Sequence, residues 1–188
     1  MIYGILLAAG ESRRFGADKL LHALPDGTLI AVAAARNLQA VVDRVLAVVR
    51  PGGERLERAL KQAGCEVLVC PEAVHGMGAS LAGGVRVTRG AQAWLVALAD
   101  MPYIPKETMR EIVGLLRAGA PIVAPAWQGK RGHPVGFNAR FGKALQALTG
   151  DAGARAILAL HEDEIQHVAA GDAGILRDID TPADLKDP

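Results

Sequence analysis

The stretch from Ile5 to Leu20 reads ILLAAGESRRFGADKL, and the rest of the chain is arranged around it. The apolar run Ile2–Ala8 predicts a buried strand. The small residues at its end, Ala8, Ala9 and Gly10, leave backbone N–H groups uncovered, so that these groups can face an anion. The loop that follows supplies a hydroxyl and three cations, which are Ser12, Arg13, Arg14 and Lys19. These groups match the charge and hydrogen bonding of a polyphosphate, so the stretch predicts a triphosphate site.

Two common phosphate-binding motifs are absent from the sequence. The loop holds only Gly10 and Gly16, so the G-x-G-x-x-G fingerprint is missing, and no G-x-x-x-x-G-K-[ST] occurs anywhere. The alternative to a phosphate site is a glycine-containing turn between a strand and a helix, with solvated arginines. Several cations beside small residues, directly after a buried strand, favour the phosphate site.

Apolar runs alternate with helical patterns along most of the chain. The predicted strands are Ile2–Ala8, Arg44–Val49, Glu66–Cys70, Trp94–Ala99, Ile122–Ala126 and Ile165–Val168. The predicted helices are Leu29–Val41, Gly53–Ala63, Ala79–Thr88, Pro105–Ala118, Ala139–Leu148 and Ala152–Leu160. We therefore predict one domain over residues 1–188, with an α/β, doubly wound, mainly parallel sheet. A β-hairpin, in which Ile122–Trp127 pairs with Val135–Asn138, is inserted near the C-terminal half.

The composition is that of an ordinary globular protein. Of the 188 residues, 51% are hydrophobic and 22% are charged, with a net charge of +1. This balance argues against nucleic acid or an anionic membrane as a partner. No apolar run reaches the roughly 18 residues of a transmembrane helix, and we expect a cytoplasmic protein. Cys65 and Cys70 are expected to be buried, reduced thiols.

Two further polar segments follow predicted strands, at the edge where ligands collect in such sheets. Gly76 and Gly78 permit close backbone approach, and Ser80 stands at the start of a helix, where its hydroxyl can contact a ligand. A capped helix entry is the alternative. Asp100 comes at the end of a buried strand, and we expect it to bind Mg²⁺ together with phosphate oxygens. The alternative for Asp100 is a helix or turn cap.

Several segments match the motifs of one known family, in the family's order. Residues 7–21 fit L-A-A-G-x-S-x-R-F-G-x-x-K-L-L, and residues 76–80 fit G-M-x-x-S. Further along, D-M-P occurs at residues 100–102, G-H-P-V-x-F at 132–137 and D-I-D-T-P at 178–182. On these motifs the chain resembles the molybdenum-cofactor nucleotidyltransferases, and in particular their cytidylyltransferase branch. Ala99 departs from the family, which has Gly before the aspartate, but the carboxylate of Asp100 is kept.

The resemblance implies a Rossmann-like enzyme that transfers CMP from CTP to the terminal phosphate of molybdopterin, or of its molybdenum form, and releases pyrophosphate. It implies that Mg²⁺ is the cofactor, bound by Asp100 and Asp180, although Asp180 before Thr181 and Pro182 could equally be a helix start. It also implies a molybdoenzyme or its maturation chaperone as a further partner.

The resemblance assigns roles to individual residues of this sequence. Arg13, Lys19 and Asp100 are the predicted catalytic residues. The predicted nucleotide-binding residues are Leu7, Ala8, Ala9, Gly10, Arg14, Gly76, Met77 and Ser80. Arg131 and His133, with Lys130 beside them, are predicted to bind the acceptor, and a solvated hairpin tip is the alternative. Residues 151–155 lie where the family covers its acceptor pocket, although the residue type of Asp151 favours a helix N-cap.

The choice of nucleotide rests on a few residues. Ala9 points to CTP, because the guanylyl branch usually has glycine there, whereas the pair Asp18-Lys19 is more familiar in the guanylyl branch. GTP transfer to the same pterin, or NTP transfer to another small phosphate such as a phosphosugar, is the alternative within the fold. A non-catalytic module that binds a nucleotide and delivers the cofactor is the alternative outside enzymes.

Overall fold

A computed structural model describes residues 1–10, 15 and 18–185 of the chain. Its strands are β1 (Ile2–Leu7), β2 (Arg44–Val49), β3 (Glu66–Val69), β4 (Ala93–Leu98), β5 (Ile122–Trp127), β6 (Lys130–Arg131), β7 (Val135–Asn138) and β8 (Ile165–Ala169). Its α-helices are α1 (Ile30–Gln39), α2 (Glu54–Gln62), α3 (Met77–Val87), α4 (Lys106–Arg117), α5 (Gly142–Gln146) and α6 (Arg155–Leu160). Short 3₁₀ turns include Lys19–Leu21 and Pro182–Leu185.

The strands form one mostly parallel sheet with the order β3-β2-β1-β4-β7-β5-β6, and β8 pairs with β5. The pairs β1–β2, β1–β4, β2–β3 and β5–β8 are parallel, and β7 is antiparallel to both of its neighbours. The predicted α/β sheet is confirmed. The strand order reverses between β1 and β4, which is the place where open α/β sheets bind ligands.

Helices cover both faces of the sheet because its central strands carry apolar residues on both sides. In β1, Leu6 contacts the core under α1, α2 and α4, whereas Ile5 contacts the core under α3 and α5. Trp94 of β4 is buried in the second of these cores, and its ring N–H donates to the hydroxyl of Thr88. This two-sided burial is what a parallel, doubly wound sheet requires.

The predicted hairpin exists, but its second arm is an internal strand. Residues of β7 pair with β5 on one side and with β4 on the other, so the hairpin is built into the sheet. The register along β5 shifts by two residues between its pairs with β6 and its pairs with β7. The residues that absorb this shift, 132–134, form a bulge next to the candidate site.

The segments after the hairpin are less helical than predicted. The helix expected over Ala139–Leu148 consists of a 3₁₀ turn followed by the short α5, and α6 begins only at Arg155. Gly153 explains the late start of α6, because its φ of 56° is incompatible with a right-handed helix. Cys65 and Cys70 are buried free thiols, as predicted. No helix in the described ranges has the length and apolar composition needed to cross a membrane.

Candidate active site

The site lies at the carboxyl edge of β1 and β4. Leu7 stands beside Leu98 in the parallel pair, and the Ala99 N–H donates to the Leu7 carbonyl oxygen at 3.0 Å. The first loop and Asp100 therefore leave the sheet side by side, as expected for parallel neighbours. A cavity of about 490 Å³ opens there, and its walls include Leu7, Ala9, Gly10, Lys19, Gly76, Met77, Ser80, Leu98, Asp100 and Asp151.

Among the described residues of the predicted triphosphate loop, some face this cavity and others do not. The Ala8 N–H donates to the Val48 carbonyl oxygen at 2.9 Å and extends the pairing of β1 with β2. This amide is therefore not available to an anion, and the role of Ala8 in nucleotide binding stays a prediction. Ala9 and Gly10 do line the cavity. Arg13 and Arg14, together with Ser12, lie outside the described residues.

The opposite wall is the segment 76–80 at the start of α3. Gly76 has a φ of 109°, and a Cβ there would lie 2.6 Å from the Gly150 carbonyl oxygen. The Gly78 N–H donates to that same oxygen at 2.7 Å. The two glycines thus allow close approach of another turn of the protein, a partner that sequence reasoning did not foresee. Ser80 does not cap the helix but donates back to the Gly76 carbonyl oxygen at 3.2 Å.

Three carboxylates meet at the end of β4. Oxygens of Asp100, Asp178 and Asp180 lie within 4.8 Å of one another. The Ile179 N–H donates to the Asp100 carbonyl oxygen at 2.9 Å, which fixes the C-terminal segment against β4. Clustered carboxylate oxygens are the donors that a hard divalent cation prefers, so the donor set fits the expected metal.

Asp178 was not predicted as a ligand. The i, i+2 spacing of Asp178 and Asp180 is the signal that could have identified it, because alternate residues of an extended segment share a side. Ile179 between them is fully buried. The turn that follows is capped by Asp184, whose carboxylate accepts from the Thr181 N–H at 2.7 Å and from the Asp180 N–H at 3.0 Å. These hydrogen bonds from the backbone lower the pKa of Asp184.

Lys19 joins the cluster from the first loop. Its Nζ lies 2.8 Å from an oxygen of Asp100 and 3.1 Å from an oxygen of Asp180. The side chain is only 10% exposed. Burial lowers the pKa of this ammonium, but the hydrogen bonds and charges of the two aspartates outweigh burial and raise the pKa overall. Lys19 therefore keeps its positive charge beside these carboxylates.

A second cavity, of about 580 Å³, adjoins the first and shares with it Leu7, Met77, Leu98, Asp100 and Asp151. Arg131, His133 and Arg155 form its polar part, next to Asp178 and Asp180, and Val96, Val135, Phe137 and Leu158 form its apolar part. Arg131 and His133, the predicted acceptor residues, thus lie together. Lys130, by contrast, is not among the described residues that line this cavity.

His133 is not at a solvated hairpin tip. It lies in the bulge between β6 and β7, where its backbone N–H donates to the Ile175 carbonyl oxygen at 2.9 Å. Gly132 permits this approach, since a Cβ there would overlap with the same oxygen. The ring Nδ1 is buried and has no hydrogen-bond partner in the described part of the chain. Burial lowers the pKa of His133, against the opposing charge of Asp100.

The buried His133 ring predicts a pH dependence of stability. Because the pKa is lowered in the folded state, the unfolded chain takes up this proton first, and the free energy of unfolding falls as the pH drops below about 6.5. We expect His133→Asn to flatten this part of the profile, measured by urea unfolding between about pH 5 and pH 8. His167→Asn, at an exposed position of β8, is the matched control. An unchanged slope in His133→Asn would contradict the assignment.

Residues 4–168 match the family model of the MobA-like NTP transferase domain. The chain belongs to this family. It is a MobA-like nucleotidyltransferase, with the mixed, mainly parallel sheet and flanking helices described above. The resemblance inferred from the sequence motifs is confirmed at the level of the family.

Named relatives of this MobA-like NTP transferase span its whole length. The purine catabolism protein PucB of Bacillus subtilis is 31% identical and covers 96% of this chain and 92% of its own. A probable molybdenum cofactor guanylyltransferase of Mycobacterium marinum is 28% identical, with coverages of 98% and 92%. The crystal structure of Rv0371c from Mycobacterium tuberculosis has a TM-score of 0.85 at 26% identity and covers 98% of this chain and 95% of that one. A manganese complex of Rv0371c has a TM-score of 0.80 at 24% identity, and the match covers 98% of this chain and 96% of that one.

In this MobA-like NTP transferase the fold brings together most of the residues that the sequence singled out. Lys19 contacts both Asp100 and Asp180. Around the first cavity lie Ala9, Gly10, Gly76, Met77 and Ser80, and around the second lie Arg131 and His133. Asp151 and Arg155 line the second cavity as well, and Asp151 also lines the first. Their roles in a reaction are predictions.

Proposed function

We propose that this nucleotidyltransferase transfers CMP from CTP to the terminal phosphate of a molybdopterin-type acceptor and releases pyrophosphate, with Mg²⁺ as the cofactor. One observation carries the proposal: two cavities adjoin at Asp100, where Asp178, Asp180 and Lys19 also meet. A transfer between two phosphate-bearing substrates needs two binding sites whose reacting ends meet at a charged centre. Rv0371c, which shares this fold, has been solved as a complex with manganese, and this supports a divalent cation as the cofactor.

The first cavity suits the nucleotide. Ala9 and Gly10 line it with small side chains that leave the backbone accessible, and Lys19 contributes a buried positive charge. In the proposed reaction these groups hold the triphosphate, and the ammonium of Lys19 stabilises negative charge on the leaving pyrophosphate. Arg13 and Arg14 are predicted to add to this charge. No side-chain nucleophile is required, because the acceptor phosphate carries its own nucleophilic oxygen.

The carboxylates suit the metal. Asp100, Asp178 and Asp180 would hold Mg²⁺, which when bound supplies Lewis-acid polarisation of phosphate oxygens. The backbone hydrogen bond from the Ile179 N–H to the Asp100 carbonyl oxygen holds the segment with Asp178 and Asp180 next to Asp100. This limits the reorganisation that binding of the metal would need.

The second cavity suits an acceptor with an anionic end and a flat apolar body. Arg131 and Arg155 come from different elements, and neither forms an ion pair in the described part of the chain. Two guanidinium groups beside one cavity favour a phosphate, which they can bind through paired hydrogen bonds. The apolar wall with Phe137 and Leu158 offers contact to a heterocycle such as a pterin.

The test is pyrophosphate release with Mg²⁺ and molybdopterin, with CTP, GTP and ATP supplied in separate reactions. Release that needs both CTP and the acceptor is the expected result. Tight nucleotide binding without release, even over long incubation, would instead favour the delivery module and overturn the enzymatic proposal. Release with GTP alone would keep the reaction and overturn the choice of CTP. The guanylyltransferase names of the mycobacterial relatives make GTP the second candidate.

Ala9 is the residue whose replacement tests nucleotide choice. It lines the first cavity, and the guanylyl branch of the resembled family usually has glycine at this position. We expect Ala9→Gly to raise the ratio of kcat/KM for GTP to that for CTP by roughly 10-fold, since one methyl group in a pocket discriminates by about that factor. Ala73→Gly removes a methyl group from another wall of the same cavity and is the matched control. An equal change in both variants would contradict a specific role of Ala9.

A further inference from the structure

Lys19 stands where a divalent cation would compete with it. Its ammonium lies within hydrogen-bonding distance of Asp100, at 2.8 Å, and of Asp180, at 3.1 Å. The same two residues belong to the carboxylate cluster that fits a metal. A fixed positive charge at this distance lowers the affinity of the cluster for any second cation.

The backbone under Lys19 is anchored by hydrogen bonds, and a flexible four-carbon stem joins it to the ammonium. The Leu21 N–H donates to the Asp18 carbonyl oxygen and the His22 N–H to the Lys19 carbonyl oxygen, each at 3.0 Å. Leu20 is buried beside them. Lys19 also lines the first cavity together with Ala9 and Gly10, so its side chain borders the proposed triphosphate site.

We propose that Lys19 serves as a counter-cation of Asp100 and Asp180 in the nucleotide-free protein, and that its ammonium moves to the triphosphate when nucleotide and divalent cation bind together. The inference rests on the proposed function, because it takes the first cavity as the triphosphate site. The negative triphosphate draws the ammonium away, and the carboxylates then gain a divalent cation in its place. The metal therefore binds weakly without nucleotide and tightly with it.

Linkage makes the coupling reciprocal. If nucleotide raises the affinity for the metal by a given factor, the metal raises the affinity for nucleotide by the same factor. The charge of Lys19 contributes to the weak binding without nucleotide. Asp178, which belongs to the same cluster, is left to attract the cation in either state.

The experiment measures Mn²⁺ binding to the full chain by electron paramagnetic resonance of the free ion, first without nucleotide. We expect Lys19→Met and Lys19→Gln to bind Mn²⁺ about 10-fold more tightly than the wild type, because they remove the competing charge. Lys19→Arg keeps the charge and is expected to bind as weakly as the wild type. Lys143→Met removes an exposed lysine from α5 and controls for net charge.

A second arm adds a non-hydrolysable CTP analogue. The wild type is expected to gain more Mn²⁺ affinity from the analogue than Lys19→Met does. Adding Asp100→Asn to Lys19→Met is expected to abolish the tightened binding, which places the ion at this cluster. Thermal unfolding without metal checks that each variant is folded.

The inference fails if folded Lys19→Met and Lys19→Gln bind Mn²⁺ no more tightly than the wild type, or if the tightened binding survives Asp100→Asn. Neither result requires turnover, so this failure is distinct from failure of the proposed reaction. That reaction fails if the wild type releases no pyrophosphate from CTP, GTP or ATP in the presence of the acceptor.

Discussion

Asp100→Asn is expected to lower kcat by about 10²- to 10³-fold while the fold is kept, since loss of one charge-stabilising group at the reacting centre typically costs two to three orders of magnitude. The amide has no charge and is a poorer ligand for Mg²⁺. The fold survives because Lys19 keeps its contact with Asp180, and because the backbone of Asp100 still accepts from Ile179. Steady-state kinetics and thermal unfolding measure the two effects separately.

Asp163→Asn is the matched control for this prediction. Asp163 is exposed and lies between α6 and β8, away from both cavities, so its replacement is expected to leave kcat unchanged. Retention of wild-type kcat by Asp100→Asn at saturating Mg²⁺ would remove Asp100 from the metal site and, with it, the observation on which the proposed function rests.

Gly76→Ala is expected to lower the free energy of unfolding by about 3 kcal/mol or more, the range found when a residue is forced into an unfavourable backbone region and into overlap. At Gly76 the φ is 109°, and the added Cβ would lie 2.6 Å from the carbonyl oxygen of Gly150. The segments at Gly76 and Gly150 cannot move apart independently, because the Gly78 N–H donates a hydrogen bond to the same Gly150 oxygen at 2.7 Å. Urea unfolding measures the loss.

Gly114→Ala is the matched control, because the structure predicts that this glycine-to-alanine change raises the free energy of unfolding. Gly114 lies inside α4, and a Cβ there would meet no atom within 4 Å. Alanine is therefore expected to stabilise the protein by about 0.5 to 1 kcal/mol through its better helix propensity. Equal stability of Gly76→Ala and the wild type would mean that segment 76–80 is not held against Gly150 as described.

The close contact between residues 76–78 and 149–151 also bears on catalysis. The first of these segments forms a wall of the proposed nucleotide site, and Asp151 lines both cavities. A change in one wall is therefore transmitted to the other by direct packing. We expect any Gly76→Ala protein that remains folded to show altered KM values for both substrates.

The sequence by itself determined the class of the fold. Ile2–Leu7 and Ala93–Leu98 are apolar along their whole length, which favours strands that are buried on both faces. Helical patterns between the strands leave few connections other than parallel crossovers. The positions of Gly10 and Asp100 directly after these strands placed them at the ligand-binding edge. Such inferences succeed because they use short spacings and the general geometry of sheets.

Only the tertiary structure decided which groups touch. The hydrogen bond between Lys19 and Asp180 joins residues that are 161 positions apart, and no local sequence pattern predicts a contact over such a separation. The Ala8 N–H donates a hydrogen bond to Val48 of β2, and Gly76 packs against the turn at Gly150. Both contacts form because strand order and loop packing bring distant segments together. His133 is buried since the register of β5 shifts at its bulge. The free energy of these contacts depends on neighbours that each residue meets only in the folded protein. The sequence could therefore indicate which residues carry the chemistry, but not which of them contact one another.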